Sequence, residues 1–187
     1  MSSEKIMTSV RVIVQQCLSA RLQVRPATSE EASDAEYVEI GRGVIFYVCL
    51  LKGAQADGLA KIVKSLVNVR LSYCEELSKN ASVLDVHGDI LVVPQVLVEN
   101  YTNTTNLYDV HQASLGGRMK GKNVQYHSNL PKEEGEVLYR EFVSLVEEEV
   151  KSTGTDSHSP AVKHGTYGNR QVLSVVTNGP FTHIFDF

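Results

Sequence analysis

Apolar and polar residues alternate from the start of the first apolar segment. In SVRVIVQQC, residues 9–17, Val10, Val12 and Val14 fall on every second position, the period of a half-buried strand. LQV at 22–24 predicts a second strand. PATSEEASDAE, 26–36, is polar, acidic and aperiodic, and predicts a surface loop. Apolar patterning resumes at YVEI. Beyond Gly41-Arg42-Gly43 it continues as VIFYVCLL, a run of eight apolar residues that predicts a central strand buried on both faces.

The period then changes. In ADGLAKIVKSLVNVRL, 56–71, Leu59, Ile62, Val63, Leu66 and Val67 recur at helical spacing, and Asp57 is placed to cap the helix. DILVVPQVLV, 89–98, predicts a strand that Pro94 must end or distort, because proline has no N–H for the ladder. Residues 99–131 are polar and unpatterned. A stretch of that length is uncommon in a compact domain unless it is functional or holds elements the pattern hides. PKEEGEVLYREFVSLVEEEVK, 131–151, predicts a second helix with Leu138, Phe142, Leu145 and Val146 as its buried stripe. STGTDSHSP, 152–160, predicts a loop, and QVLSVVT and FTHIF predict two strands around Asn178-Gly179-Pro180. Strands, helix, strands, helix, strands predict an α+β domain with a mostly antiparallel or mixed sheet.

Composition narrows the function. A chain of 187 residues with 42% hydrophobic content can bury its own core, so one domain over 1–187 is expected, with 26–36 as a polar insert. The net charge of −4 means that any nucleic-acid contact needs a local basic patch. Arg118, Lys120 and Lys122 in GGRMKGK offer one, with glycines that let backbone approach phosphate. The same residues also suit a solvated loop tip. Cys17, Cys49 and Cys74 are widely spaced and form no CxxC, which predicts neither disulfides nor structural zinc and fits a reducing compartment. There is no apolar run of about 18 residues and no apolar leader, so a cytoplasmic protein without a membrane span is expected.

Candidate chemistry is sparse. The six histidines sit in no metal-ligand spacing, and there is no GxSxG or P-loop. Gly41-Arg42-Gly43 leads into a strand, so it is no dinucleotide fingerprint. Neither metal nor cofactor is expected. Gln95 puts an amide at the end of a buried strand, where it needs a partner from the backbone or from a ligand. TNGPFTH, 177–183, reads in two ways. It is either a hairpin turn with Pro180 opening an edge strand, or a rigid backbone element aimed at a ligand.

Six segments, in order, resemble the D-aminoacyl-tRNA deacylase family over nearly the whole chain. They are VRVIVQQCLSARLQV, IGRGVIFYVCL, the helix ending LVNVRL, ILVVPQVLV, GGRMKGKNVQYHSNLP and VKHGTYGNRQVLSVVTNGPFTH. Where the common deacylase has Ser-Gln, this chain has Pro94-Gln95. Where it has Asn-x-Gly-Pro, this chain has Thr177-Asn178-Gly179-Pro180. That pairing is similar to the animal-type branch, which is associated with removing L-alanine from threonine tRNA. The common branch clears D-amino acids and glycine.

The resemblance implies a β-barrel-type α+β fold with two main helices, forming a homodimer with active sites at the interface. The Gly-Pro element of one subunit would reach into the pocket of the other. It implies Pro94, Gln95, Gly179 and Pro180 as the catalytic group. Thr177, Asn178, Phe181 and Thr182 would bind substrate, with Tyr126, Gly165 and Tyr167 near the terminal adenosine or the pocket wall. Arg118, Lys120 and Lys122 would touch RNA. The implied reaction is hydrolysis of the ester between an amino acid and the terminal ribose of tRNA. Backbone positioning and the neighbouring ribose hydroxyl would drive it. The implied partner is aminoacyl-tRNA and not DNA, which lacks the 2′-hydroxyl. The D-specific branch carries a cis Gly-Pro bond, and a trans bond at Gly179–Pro180 is the expectation here. The alternatives are the common D-specific activity, a non-catalytic binder of aminoacyl-tRNA ends, and a metal-dependent hydrolase using His87, His111 or His127.

Overall fold

The structure, a computed structural model, describes residues 8–27, 34–75, 78–95, 117–120, 122–126, 130–153, 160–169, 171–179 and 181–187. Strands β1 (Val10–Cys17) and β2 (Ser19–Arg25) are parted only by Leu18, yet they serve different sheets. β2 pairs antiparallel with β3 (Glu36–Ile40), while β1 pairs antiparallel with β4 (Gly43–Leu50). Helix α1 (Ala56–Asn68) follows, then a short hairpin of β5 (Ser72–Cys74) and β6 (Lys79–Ala81). Strand β7 (Asp89–Pro94) runs parallel to β4. A second hairpin, β8 (Gly117–Lys120) and β9 (Asn123–Tyr126), forms its own two-stranded sheet. Helix α2 (Lys132–Thr153) precedes β10 (Val162–His164), β11 (Leu173–Val176) and β12 (Thr182–Asp186).

The main sheet has five strands in the order β10-β7-β4-β1-β12, and the second has three in the order β11-β2-β3. This is the expected α+β arrangement with a mixed sheet. β4 is central, and its three consecutive buried residues Val44, Ile45 and Phe46 face both sides. Val10, Val12, Val14, Val44, Phe46, Val48, Ile90 and Val92 pack on the two helices. The opposite face contributes Cys17, Ile45, Leu91 and Val93, which pack with Ala20, Leu22 and Ile40 of the smaller sheet. Two sheets therefore wrap a second core, in a barrel-type arrangement backed by helices.

Several local expectations shift. Gln55, without a side-chain cap bond, is the N-cap of α1; Asp57 lies inside the first turn, where its charge suits the helix dipole. The helix stops at Asn68, because the apolar Val69 and Leu71 belong to the connection to β5 and not to the repeat. In α2 the fully buried stripe is Tyr139, Phe142, Val143, Val146 and Val150, with Leu138 and Leu145 only part-buried at its margin. Tyr139 takes the central place because its hydroxyl finds partners, the carbonyls of Val92 at 3.0 Å and Gly165 at 3.1 Å. The polar stretch 99–131 holds the β8–β9 hairpin, too short for its alternation to stand out. The largest correction concerns Asn178-Gly179. β11 pairs with β2 and β12 with β1, so the turn is not a hairpin but a crossing between the two sheets.

Candidate active site

Among the described residues, each catalytic or binding residue expected from the sequence sits toward one end or the other of the five-stranded sheet, apart from those of the β8–β9 hairpin. At one end, β7 finishes at buried Pro94, paired with Val48. The N–H of Gln95 donates to the Val48 carbonyl at 2.8 Å, which carries the ladder one residue past the proline. The register then sets Gln95 beside Cys49, Cys49 opposite Arg11, and Arg11 opposite Asp186. Arg11 holds Asp186 in a bidentate pair, Nε to Oδ1 at 2.5 Å and Nη2 to Oδ2 at 2.8 Å. These charge-assisted bonds keep the Asp186 carboxyl below its ordinary range. One row inward, Tyr47 donates its hydroxyl to Gln15 Oε1 at 3.0 Å, and burial pushes the Tyr47 phenol up. This polar border next to Gln95 is scattered over β1, β4, β7 and β12, and only strand pairing assembles it.

Gly165 and Tyr167 lie at the same carboxyl-terminal edge of the parallel strands. The Gly165 N–H donates to the Val92 carbonyl at 2.8 Å. A Cβ there would overlap Gln171 Oε1, and Leu22 Cδ2 would stand 3.0 Å away, so the position admits only glycine without rearrangement. The Tyr167 ring packs on Tyr139 at 5.6 Å between centroids, with its hydroxyl seated over Gly135. Burial raises its phenol to about 12, so it stays neutral and available as a hydrogen-bond donor. Tyr167, His164, Gly165 and Thr166 line a cleft of about 360 Å³ against Glu136 and Arg140 of α2.

At the other end stands the sheet-crossing loop. The Val176 carbonyl accepts from the Leu18 N–H at 2.8 Å, and the Phe181 carbonyl accepts from the Gln16 N–H at 3.0 Å. Between these clamps Thr177 and Asn178 are exposed, Gly179 is half-buried, and the Phe181 ring leans on Gly179. Asn178 lines a small cavity of about 30 Å³ with Gln16, Cys17, Arg42 and Gly43. Thr182 begins β12 and is exposed. Pro180, and with it the geometry of the Gly179–Pro180 bond, lies outside the described residues.

The two ends are far apart within one chain. Cys17 pairs with Gly43, and Arg11 with Cys49, the neighbour of Gln95. Six strand residues separate those pairs, roughly 20 Å at about 3.3 Å per residue. The structure therefore brings Pro94, Gln95, Gly165 and Tyr167 to one edge and leaves Thr177, Asn178, Gly179, Phe181 and Thr182 at the opposite one. Arg118, Lys120 and Tyr126 are placed as backbone on the β8–β9 hairpin, and Lys122 at its turn is exposed. Among the described residues no three His, Cys, Asp or Glu side chains cluster as a metal site would require. His87 is on a turn with φ 48, and His111 and His127 lie outside the described residues. Among those residues no helix is long and apolar enough to cross a membrane.

Comparison with known proteins identifies the family and the fold. The family model for D-Tyr-tRNA(Tyr) deacylase matches residues 13–109 and 102–186. The chain is 48% identical over 178 residues to D-aminoacyl-tRNA deacylase 2 of Homo sapiens, covering 95% of this chain and 94% of the relative. It is 47% identical to the Danio rerio protein of the same name, over 95% of this chain and 98% of that one. A solved structure of a probable eukaryotic D-amino acid tRNA deacylase superposes with a TM-score of 0.71 at 27% identity, covering 96% of this chain and all of that one (100%).

Proposed function

The chain belongs to the D-Tyr-tRNA(Tyr) deacylase family, and on that premise we propose that it clears mischarged tRNA at active sites built by two copies of the chain. It is a hydrolase of the ester bond in aminoacyl-tRNA. One observation carries the two-copy reading. The Gln95 edge and the Gly179 loop lie at opposite ends of one sheet, so a single chain cannot close both around one amino acid. Around the loop and along β12, an edge strand among the described residues, Val176, Phe181 and Ile184 are 57%, 47% and 65% exposed, an apolar surface suited to a second copy.

In this reading, Gln95 and the amides beside Pro94 hold the ester end and stabilise the developing oxyanion. The Gly179-Pro180 backbone of the partner reads the α-substituent. The neighbouring ribose hydroxyl helps activate water, and Tyr126, Gly165 and Tyr167 flank the terminal adenosine or the pocket wall. Arg118, Lys120 and Lys122 offer cations to the tRNA phosphates. An ester is already activated, so positioning and amide donors suffice for the rate.

The substrate we favour is L-alanine on threonine tRNA, motivated by Pro94 and Thr177 in place of the family's Ser and Asn; a trans Gly179–Pro180 bond is expected to go with it. The names of the human and zebrafish relatives favour the D-specific alternative. Deacylation of L-alanyl-tRNA(Thr) and D-tyrosyl-tRNA(Tyr) by the purified protein, with chelator as a control, decides between them. Faster loss of the D-tyrosyl ester would overturn the L-alanine reading. Hydrolysis of neither would leave a binder of tRNA ends, and loss of activity with chelator would point to a metal. The two-copy site has its own test. Gln95→Ala and Gly179→Phe proteins, each inactive alone, are refolded together. In a shared-site dimer, roughly a quarter of wild-type activity returns, because half the dimers are mixed and each keeps one intact site. No recovery would place the whole site in one chain.

A further inference from the structure

Thr177, expected among the substrate-binding residues, turns its hydroxyl onto the loop's own backbone. Its Oγ1 accepts from the Gly179 N–H at 3.3 Å and donates to the Gly179 carbonyl at 2.7 Å. One hydroxyl therefore holds both polar groups of Gly179, including the carbonyl that leads into Pro180. We propose that Thr177 is a positioning residue which sets the direction of the Gly179 carbonyl and so the stereochemical preference of the site. This rests on the deacylase reading above and goes beyond it by naming the device that aims the backbone.

Three further observations support it. Both flanks of the loop are clamped to the β1–β2 junction, through Val176 and Phe181, so the peptide units between them are the ones left for a side chain to fix. The Phe181 ring covers Gly179, where an added Cβ would meet Cε2 at 2.9 Å, so the other side of the residue is closed by an aromatic face. Thr177 is itself exposed, so its hydroxyl is not required to fill the core. A backbone that recognises by shape must be rigid before the ligand arrives, since loop ordering at binding weakens discrimination. Serine or threonine at this position can supply the brace. Valine has the same shape and cannot.

The test compares wild type, Thr177→Val and Thr177→Ser on L-alanyl- and D-alanyl-tRNA(Thr), which differ only in chirality. Thr177→Val is expected to shrink the ratio of the two kcat/KM values by about tenfold, on the scale of two lost hydrogen bonds, with Thr177→Ser within about twofold of wild type. Amide exchange at Gly179, read by NMR without substrate, is expected to quicken in Thr177→Val alone. An unchanged ratio in Thr177→Val, an equal loss in Thr177→Ser, or unchanged Gly179 exchange would each overturn the proposal. If wild type hydrolyses neither ester, the deacylase reading fails. The exchange measurement then still decides whether Thr177 braces the loop.

Discussion

The two ends of the five-stranded sheet are built on different principles. At the Gly43 end, the contacts all converge on main chain. The Gly43 Cα sits so close to the Asp89 backbone that any Cβ would overlap the Asp89 carbonyl. The Asp89 carboxylate ties two separate connections together, accepting from the Gly41 N–H at 2.7 Å and from the Ala161 N–H at 2.8 Å. Its own N–H donates to the Arg42 carbonyl at 3.0 Å. At the Gln95 end, contacts run side chain to side chain across exposed or half-buried positions, as in Arg11–Asp186. The first end carries rigidity and the second carries replaceable chemistry. On the proposed reading, the loop that reads shape stands on the rigid end, and the groups that meet the ester stand on the open one.

This contrast is open to attack by mutation. Gly43→Ala is expected to cost about 4 kcal/mol or to prevent folding, because the obstructing atoms are main chain and cannot step aside. A urea midpoint within experimental error of wild type would show that the end is not tightly built. Gln95→Ala should do the opposite. Turnover falls about a hundredfold, the scale of removing one transition-state donor, while thermal melting moves by less than about 2 °C, within the range of a surface change. Asp89→Asn, which can accept only one of its two N–H groups and sets an NH₂ against the other, is expected to cost about 2 kcal/mol in denaturant unfolding.

The smallest effect is at the open end and depends on pH. Arg11 lowers the folded-state pKa of Asp186. The pair's contribution is therefore fully present above the ordinary aspartate pKa of about 3.9 and is lost as pH falls through the lower folded value. With side-chain exposures of 30% and 41%, solvent screens the pair, and about 0.5 kcal/mol is expected. Stability against pH for Asp186→Asn should be flatter than wild type only below about pH 4. A difference persisting at pH 7 of more than about 1 kcal/mol would mean that the open end is structural too.

Much of the architecture was readable from local pattern. Val10, Val12 and Val14 announced β1, and the run from Val44 announced a central two-sided strand. Helical spacing located both helices to within a few residues. The exact buried stripe of α2 was not readable, because Tyr139 earns its central place through the carbonyls of Val92 and Gly165, which no helical period reports. The candidate site was legible as residue names and not as a place. Gln95 could be suspected from a polar side chain after a proline, but Cys49, Arg11 and Asp186, which continue its row across the sheet, come from three other strands.

What the sequence by itself determined is the set of elements, since strand and helix periods and proline or glycine punctuation act over a few residues. It also determined the family, through short motifs kept in order. Only the tertiary structure decided that TNGPFTH crosses between sheets instead of closing a hairpin, and that it stands at the far end from Gln95. Those facts follow from which strands pair, β11 with β2 and β12 with β1. Pairing over such sequence separations is chosen by burying Ala20, Leu22 and Ile40 against Cys17, Ile45, Leu91 and Val93. That choice rests on the shape of the whole core, which no local window contains.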